Sequence, residues 1–193
     1  MLNNKRIFDC IPFYQSNLLF ELRLKTLDHL VDEFIVCEAT KTHAGQKKKL
    51  CFDLKKFQQI SKKIKYIIVD DMPERKSIKR EKYPLYNYQI NALHKGLTNA
   101  NDNDLILVSD EDEIPNPNSI IKFNYEKYKY GILMQKIFYY KLNIQNESEA
   151  SGNMWPGSRI CLKKNLKKFS WFRALKTKNK TSSFWKFWKE KSI

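Results

Sequence analysis

The sequence predicts an α/β domain, a mainly parallel sheet flanked by helices. Three observations carry this expectation. Short apolar runs near residues 6–11, 33–37, 66–69 and 105–108 are separated by segments of helical period. The runs are continuous rather than alternating, as in strands covered on both faces. The chain has 193 residues, 42% hydrophobic and 13% aromatic, enough to bury a core without disulfide or metal staples.

Arg6-Ile7-Phe8-Asp9-Cys10-Ile11 reads as the first strand. Leu18 to Leu30 repeats leucine at roughly helical spacing, with Ser16 and Asn17 as N-cap candidates. Glu33-Phe34-Ile35-Val36-Cys37 is a buried strand ending at Glu38, and a polar loop follows from Ala39 to Lys49. Phe52 to Ile64 is a lysine-rich amphipathic helix, and Tyr66 to Val69 a third strand ending at Asp70-Asp71. Tyr86 to Leu97 reads as a helix, and Leu105 to Val108 as a fourth strand ending at Ser109-Asp110. Asn118 to Tyr128 reads as a helix, and the aromatic stretch Gly131 to Leu142 as strand. This order puts Glu38, Asp70-Asp71 and Asp110 at carboxyl ends of strands, where the ligand crevice of such sheets forms.

The net charge of +15 is uneven. Residues 159–193 hold 12 Lys/Arg against Glu190 alone, a net +11; residues 1–158 hold 24 against 20 acids, a net +4. The expected organisation is a domain over 1–175 and a basic aromatic tail over 176–193. The tail's Phe184-Trp185-Lys186-Phe187-Trp188-Lys189 suits peripheral contact with a membrane surface, and equally a terminal helix that packs its rings on the body. Nucleic acid is not an expected partner: 30 of the 36 basic residues are lysine, and base readout favours arginine. The four cysteines form no Cys-x-x-Cys pair and the three histidines lack zinc spacing. Buried free thiols, no signal-peptide pattern and no apolar run of membrane length point to a cytoplasmic protein.

The sharpest local feature is Asp110-Glu111-Asp112-Glu113-Ile114-Pro115. Four adjacent carboxylates repel one another, and a cation among them relieves the repulsion. In an extended segment Asp110 and Asp112 face one way. Their hard oxygens suit Mn²⁺ or Mg²⁺, which in turn bind a diphosphate. A solvated acidic turn is the structural alternative.

Several segments, in order, resemble glycosyltransferase family 17. They are Phe8 to Phe13, Glu21-Leu22-Arg23-Leu24 and Val31 to Glu38. Thr42-His43-Ala44-Gly45 with Lys49 to Phe52 follows, then Arg80-Glu81 with Gln89 to Leu93. Asp110 to Pro115 and Trp155-Pro156-Gly157-Ser158 complete the set. The resemblance implies a GT-A type fold, a UDP-sugar donor (UDP-GlcNAc above all), a divalent metal, and inverting transfer to a glycan hydroxyl. It implies Asp110 and Asp112 as metal ligands, and Glu38, Arg80, Glu81, Asn91 and Asp110 as donor-binding residues. Glu113 is the expected catalytic base, with Glu38 and Asp71 as competitors. Three departures stand out: Ile90 replaces an arginine, Leu50 a proline, and the family's later Gly-Trp-His motif is missing. The expected domain is therefore C-terminally incomplete. The alternative function is a non-catalytic remnant that binds an anionic partner through its tail. Of the remaining residues, His43 reads as a solvated loop histidine, His94 as structural, Trp155 as core, and Lys47-Lys48-Lys49 as a solvated face.

Overall fold

The structure is a computed structural model and describes residues 5–74, 83–139, 144–145 and 154–176. Strands β1 (Ile7–Phe13), β2 (Glu33–Ala39), β3 (Ile64–Val69), β4 (Leu105–Val108), β5 (Tyr130–Lys136) and β6 (Met154–Leu162) form one sheet, in the order β3-β2-β1-β4-β6-β5. β1 pairs in parallel with β2 and β4, and β2 with β3. β6 runs antiparallel to both β4 and β5. The sheet is thus mainly parallel, as the apolar runs predict, with an antiparallel pair at one edge.

The central strand shows how the sequence serves two faces at once. Phe8 and Cys10 enter one core, and Ile7, Ile11 and Phe13 the other. Pro12 is tolerated in this inner strand because of where its missing N–H would point. Cys10 O, on the same edge, accepts from Ser109 N at 3.2 Å, and pairing with β4 stops at Cys10. Helix α1 (Asn17–Leu27) covers the second face with Phe20, Leu24 and Leu27, and Ser16 Oγ caps it by accepting from Leu19 N at 3.3 Å. Helix α2 (Pro84–Ala92) and helix α4 (Phe169–Arg173) cover the first face with Leu85, Ile90, Phe169 and Phe172.

Three expected helices are shorter or tighter than their patterns suggest. Leu54–Lys63 is a 3-10 segment with Phe57 out of helical geometry. The Phe57 ring stacks on Phe52 at 5.7 Å and meets Phe20 edge-on at 5.1 Å, so aromatic packing overrides helical regularity. Helix α2 gives way to a 3-10 segment, Leu93–Asn99, where Gly96 lies against β2. Helix α3 (Pro117–Ile121) is only a short helix, because Asn124 Oδ1 accepts from the backbone amides of Glu126 and Lys127 and turns the chain instead. The aromatic strand ends at Lys136, and Tyr140 to Leu142 lie outside the described residues. So do residues 177–193, which carry most of the basic tail. Among the described residues, no helix is long and apolar enough to cross a membrane.

Candidate active site

The chain leaves β4 through a tight turn, with Glu113 N donating to Asp110 O at 3.1 Å. Two interactions set this turn. Glu113 Oε2 accepts from Asp110 N at 3.0 Å. Arg23, from the buried face of α1, donates to Glu113 O at 2.9 Å and to Asp110 O at 3.4 Å. Arg23 is held in turn by a fully buried fork on Asp9 of β1, at 2.6 and 3.0 Å. The acidic segment is therefore not extended, and Asp110 and Asp112 do not alternate onto one face. Asp110 faces a pocket, whereas Asp112 sits exposed at the apex of the turn.

The pocket has a volume of about 580 Å³. It lies at the carboxyl ends of β2 and β4, with His43 and Asp110 from the loops that follow them and Tyr86 and Asn87 from α2. Trp155 comes from the start of β6, and Ser170 and Arg173 from α4. Tyr86 Oη donates to Asp110 Oδ1 at 2.8 Å. Arg173 Nη2 donates to Asp110 Oδ2 at 2.7 Å and to Glu113 Oε1 at 2.9 Å, and Nη1 donates to Gly157 O at 2.7 Å. Burial alone lowers the Arg173 pKa, but Asp110 and Glu113 outweigh it and the net shift is upward, so the guanidinium stays charged. Burial, then Asp110, raises the Tyr86 phenol well above its ordinary value. Behind them Arg159 is pushed down to about 10, first by burial and then by Arg173.

His43 reaches the pocket through a tight loop in which Gly45, at φ 90°, takes a conformation that favours glycine. Its Nε2 lies 2.8 Å from Gln89 Oε1, and its ring meets Tyr86 edge-on at 5.4 Å. Gln89 Nε2 spends its donors on Phe13 O and Cys37 O, both at 3.0 Å. Gln89 Oε1 can only accept, so His43 Nε2 carries the hydrogen, and in the neutral ring Nδ1 keeps its lone pair. His43 is an exposed loop residue, as expected, and the contact with Gln89 gives it a fixed partner besides solvent.

Trp155 also departs from the core role expected of it. It is 48% exposed and lines the pocket, and its indole N–H donates to Glu113 Oε1 at 2.7 Å. Glu113, expected to act as base, lies behind the wall at 7% exposure. Its carboxylate accepts from Trp155, Arg173 and the Asp110 amide, so it orients the wall rather than facing the pocket.

Three further sequence-derived residues sit elsewhere. Glu38 is fully buried and accepts from Cys51 N, Phe52 N, Tyr66 Oη and Lys48, which closes the loop after β2 instead of meeting a donor. Lys48 is accordingly a paired residue and not part of a solvated face. Asn91 Oδ1 accepts from Ser170 N at 3.0 Å and ties α2 to α4. Asp71 is exposed near Lys95, away from the pocket wall. Arg80 and Glu81 lie outside the described residues.

The family model described as Glycosyltransferase family 17 matches residues 1–135. The chain belongs to glycosyltransferase family 17. It is therefore a glycosyltransferase domain, and the match spans the motifs from Phe8 to Pro115 found in the sequence. A comparison with curated proteins finds no match. Among solved structures, the chain is similar to a 4-diphosphocytidyl-2C-methyl-D-erythritol synthase. The TM-score is 0.44 and the identity 15%, over 83% of this chain and 77% of that one. It is similar also to the 2-C-methyl-D-erythritol 4-phosphate cytidylyltransferase of Francisella tularensis. There the TM-score is 0.43 and the identity 16%, over 83% and 74% of the two chains. The family 17 match ends within β5, so β6 and α4, which bring Trp155, Gly157 and Arg173, lie beyond it.

The cation that a family 17 resemblance implies can be weighed against this donor set. Among the described residues, no three His, Cys, Asp or Glu side chains converge to hold a metal. Asp110 alone brings a carboxylate to the pocket, with its side chain 35% exposed. One or two carboxylates are what Mg²⁺ or Mn²⁺ takes when substrate phosphates and water supply the other ligands. The one pocket carboxylate fits a cation whose remaining ligands are diphosphate and water, and Asp112, exposed at the apex of the turn, is not among the residues that line the pocket.

Proposed function

We propose that this family 17 domain transfers a sugar, GlcNAc from UDP-GlcNAc, to a glycan hydroxyl with inversion at the sugar carbon. The observation that carries the reading is the pocket at the carboxyl ends of β2 and β4, with Asp110 and Arg173 side by side on its wall. Asp110 would hold a divalent cation, Mn²⁺ or Mg²⁺, together with the donor diphosphate. Bound there, it would supply neutralisation of the charge that develops on the leaving group. The exposed indole of Trp155 is a platform for a sugar ring, and its N–H bond to Glu113 fixes the ring's orientation. The proton of the attacking hydroxyl passes to the Nδ1 lone pair of His43, as the oxygen bonds to the sugar carbon and the diphosphate departs with its bonding electrons.

Calorimetric titration of UDP and UDP-GlcNAc into the purified chain, with and without Mn²⁺, tests the reading. Metal-dependent binding is expected. Asp110→Ala should abolish that dependence while far-UV circular dichroism stays unchanged. Retained Mn²⁺-dependent binding in Asp110→Ala would remove Asp110 from the donor site.

A further inference from the structure

Arg173 raises a question that the donor site leaves open. Among the described residues that line the pocket, it is the only Lys or Arg. Yet its guanidinium is engaged with the protein's own carboxylates, Asp110 at 2.7 Å and Glu113 at 2.9 Å. A diphosphate entering this pocket brings negative charge against Asp110 and finds no other fixed positive group among those residues.

The surroundings allow the guanidinium to change partner without disturbing the fold. Helix α4 is held by Phe169 and Phe172, both fully buried, and by the amide of Ser170 on Asn91. The helix stays, and only the long side chain has to swing. Glu113 keeps Trp155 Nε1 and the Asp110 amide as donors when Arg173 leaves, so its buried carboxylate is not stranded. Asp110 keeps Tyr86 Oη. Gly157 O also accepts from Arg159, so the loss of Arg173 Nη1 leaves that carbonyl satisfied. Every group that Arg173 releases has a second partner in place.

We propose that Arg173 is a diphosphate-binding residue held in reserve: it neutralises Asp110 and Glu113 in the empty pocket and transfers to the donor's phosphates when they arrive. The proposal rests on the nucleotide-sugar reading given above. A planar guanidinium suits phosphate oxygens as well as carboxylates, which makes the exchange one of like for like. A divalent cation at Asp110 would favour the exchange, since it takes over the neutralisation of that carboxylate. Cation and nucleotide then strengthen each other's binding through one side chain.

The test is calorimetric titration of UDP and of uridine into the wild type, Arg173→Ala, Arg173→Lys, Asp110→Asn and the Asp110→Asn/Arg173→Ala double variant, with and without Mn²⁺. Arg173→Ala should weaken UDP by about 10- to 100-fold, the worth of a charge-assisted hydrogen bond, and leave uridine unchanged. Arg173→Lys should recover part of the loss. Asp110→Asn frees the guanidinium, so UDP should bind it more tightly than the wild type without metal, and the double variant should lose that gain. Equal UDP affinity in wild type and Arg173→Ala overturns the proposal. So does an equal loss of UDP and uridine, which marks a structural role, or a gain in Asp110→Asn that survives in the double variant. A wild type that binds uridine and UDP equally overturns it while nucleotide binding stands. A wild type that binds neither removes the nucleotide-sugar reading itself.

Discussion

Arg23 and Asp9 form an ion pair with no solvent access on either side chain, and the same arginine holds the carbonyls of the turn that carries Asp110. Breaking one partner strands a buried charge. Arg23→Leu should cost about 3–5 kcal/mol in urea unfolding, and Asp9→Leu/Arg23→Met should cost less than either single change. His43 offers a spectroscopic check at the same scale. Its neutral ring should show the Nε2–H tautomer in ¹⁵N NMR, and Gln89→Leu should let the Nδ1–H form appear, with the histidine shifts reporting the change. Asp110 was legible in the sequence because an acid directly after an apolar strand stands at a known place in this fold class. Arg173 and Tyr86 were not legible as its partners, nor Trp155 as the partner of Glu113. Each is brought to its partner from a distant stretch of chain, and such a meeting leaves no spacing behind. Arg23 had a faint signal, since it interrupts the leucine stripe of a helix just as Asp9 interrupts an apolar strand.

At the scale of elements, the strands were readable and the helices less so. Continuous apolar runs survive any packing detail, whereas the lengths of α2 and α3 were settled by Gly96 and Asn124. β6 escaped notice because it opens on Met154-Trp155-Pro156-Gly157, residues that signal a turn when read alone. Two contacts between elements make predictions. A Cβ on Gly96 would stand 2.1 Å from Ile35 Cγ2, so Gly96→Ala should cost about 1–3 kcal/mol by forcing the 3-10 segment off β2, measurable by thermal unfolding. His94 meets Phe169 of α4 edge-on at 4.7 Å, and burial, then Lys163, holds its pKa below the ordinary 6.5. The unfolded chain takes up that proton first as the pH falls. The contribution to stability is therefore present above 6.5 and lost as pH drops through the lowered folded value. The Tm of the wild type should fall relative to His94→Gln between about pH 7 and about pH 5, and a parallel pair of curves would remove His94 from the docking of α4.

Across the whole molecule, the site depends on the sheet being closed on its antiparallel side. β6 lies between β4 and β5, and the turn after β4 draws Trp155, Gly157 and Arg173 from β6 and beyond. A chain cut at residue 135 would keep the family match but lose the neighbour of β5 and the counter-charge of Asp110. It should elute as aggregate in size-exclusion chromatography and lack the thermal transition of the full chain. The strand order also bears on the course of folding. During synthesis β5 leaves the ribosome before the strand it must pair with, and β4 waits with one edge bare until residue 162 has been made. The parallel half can assemble in the order of its emergence. The other half closes only by inserting its last strand between two earlier ones, so the slow step of folding should be the arrival of β6, and the pocket should be the last part of the molecule to exist.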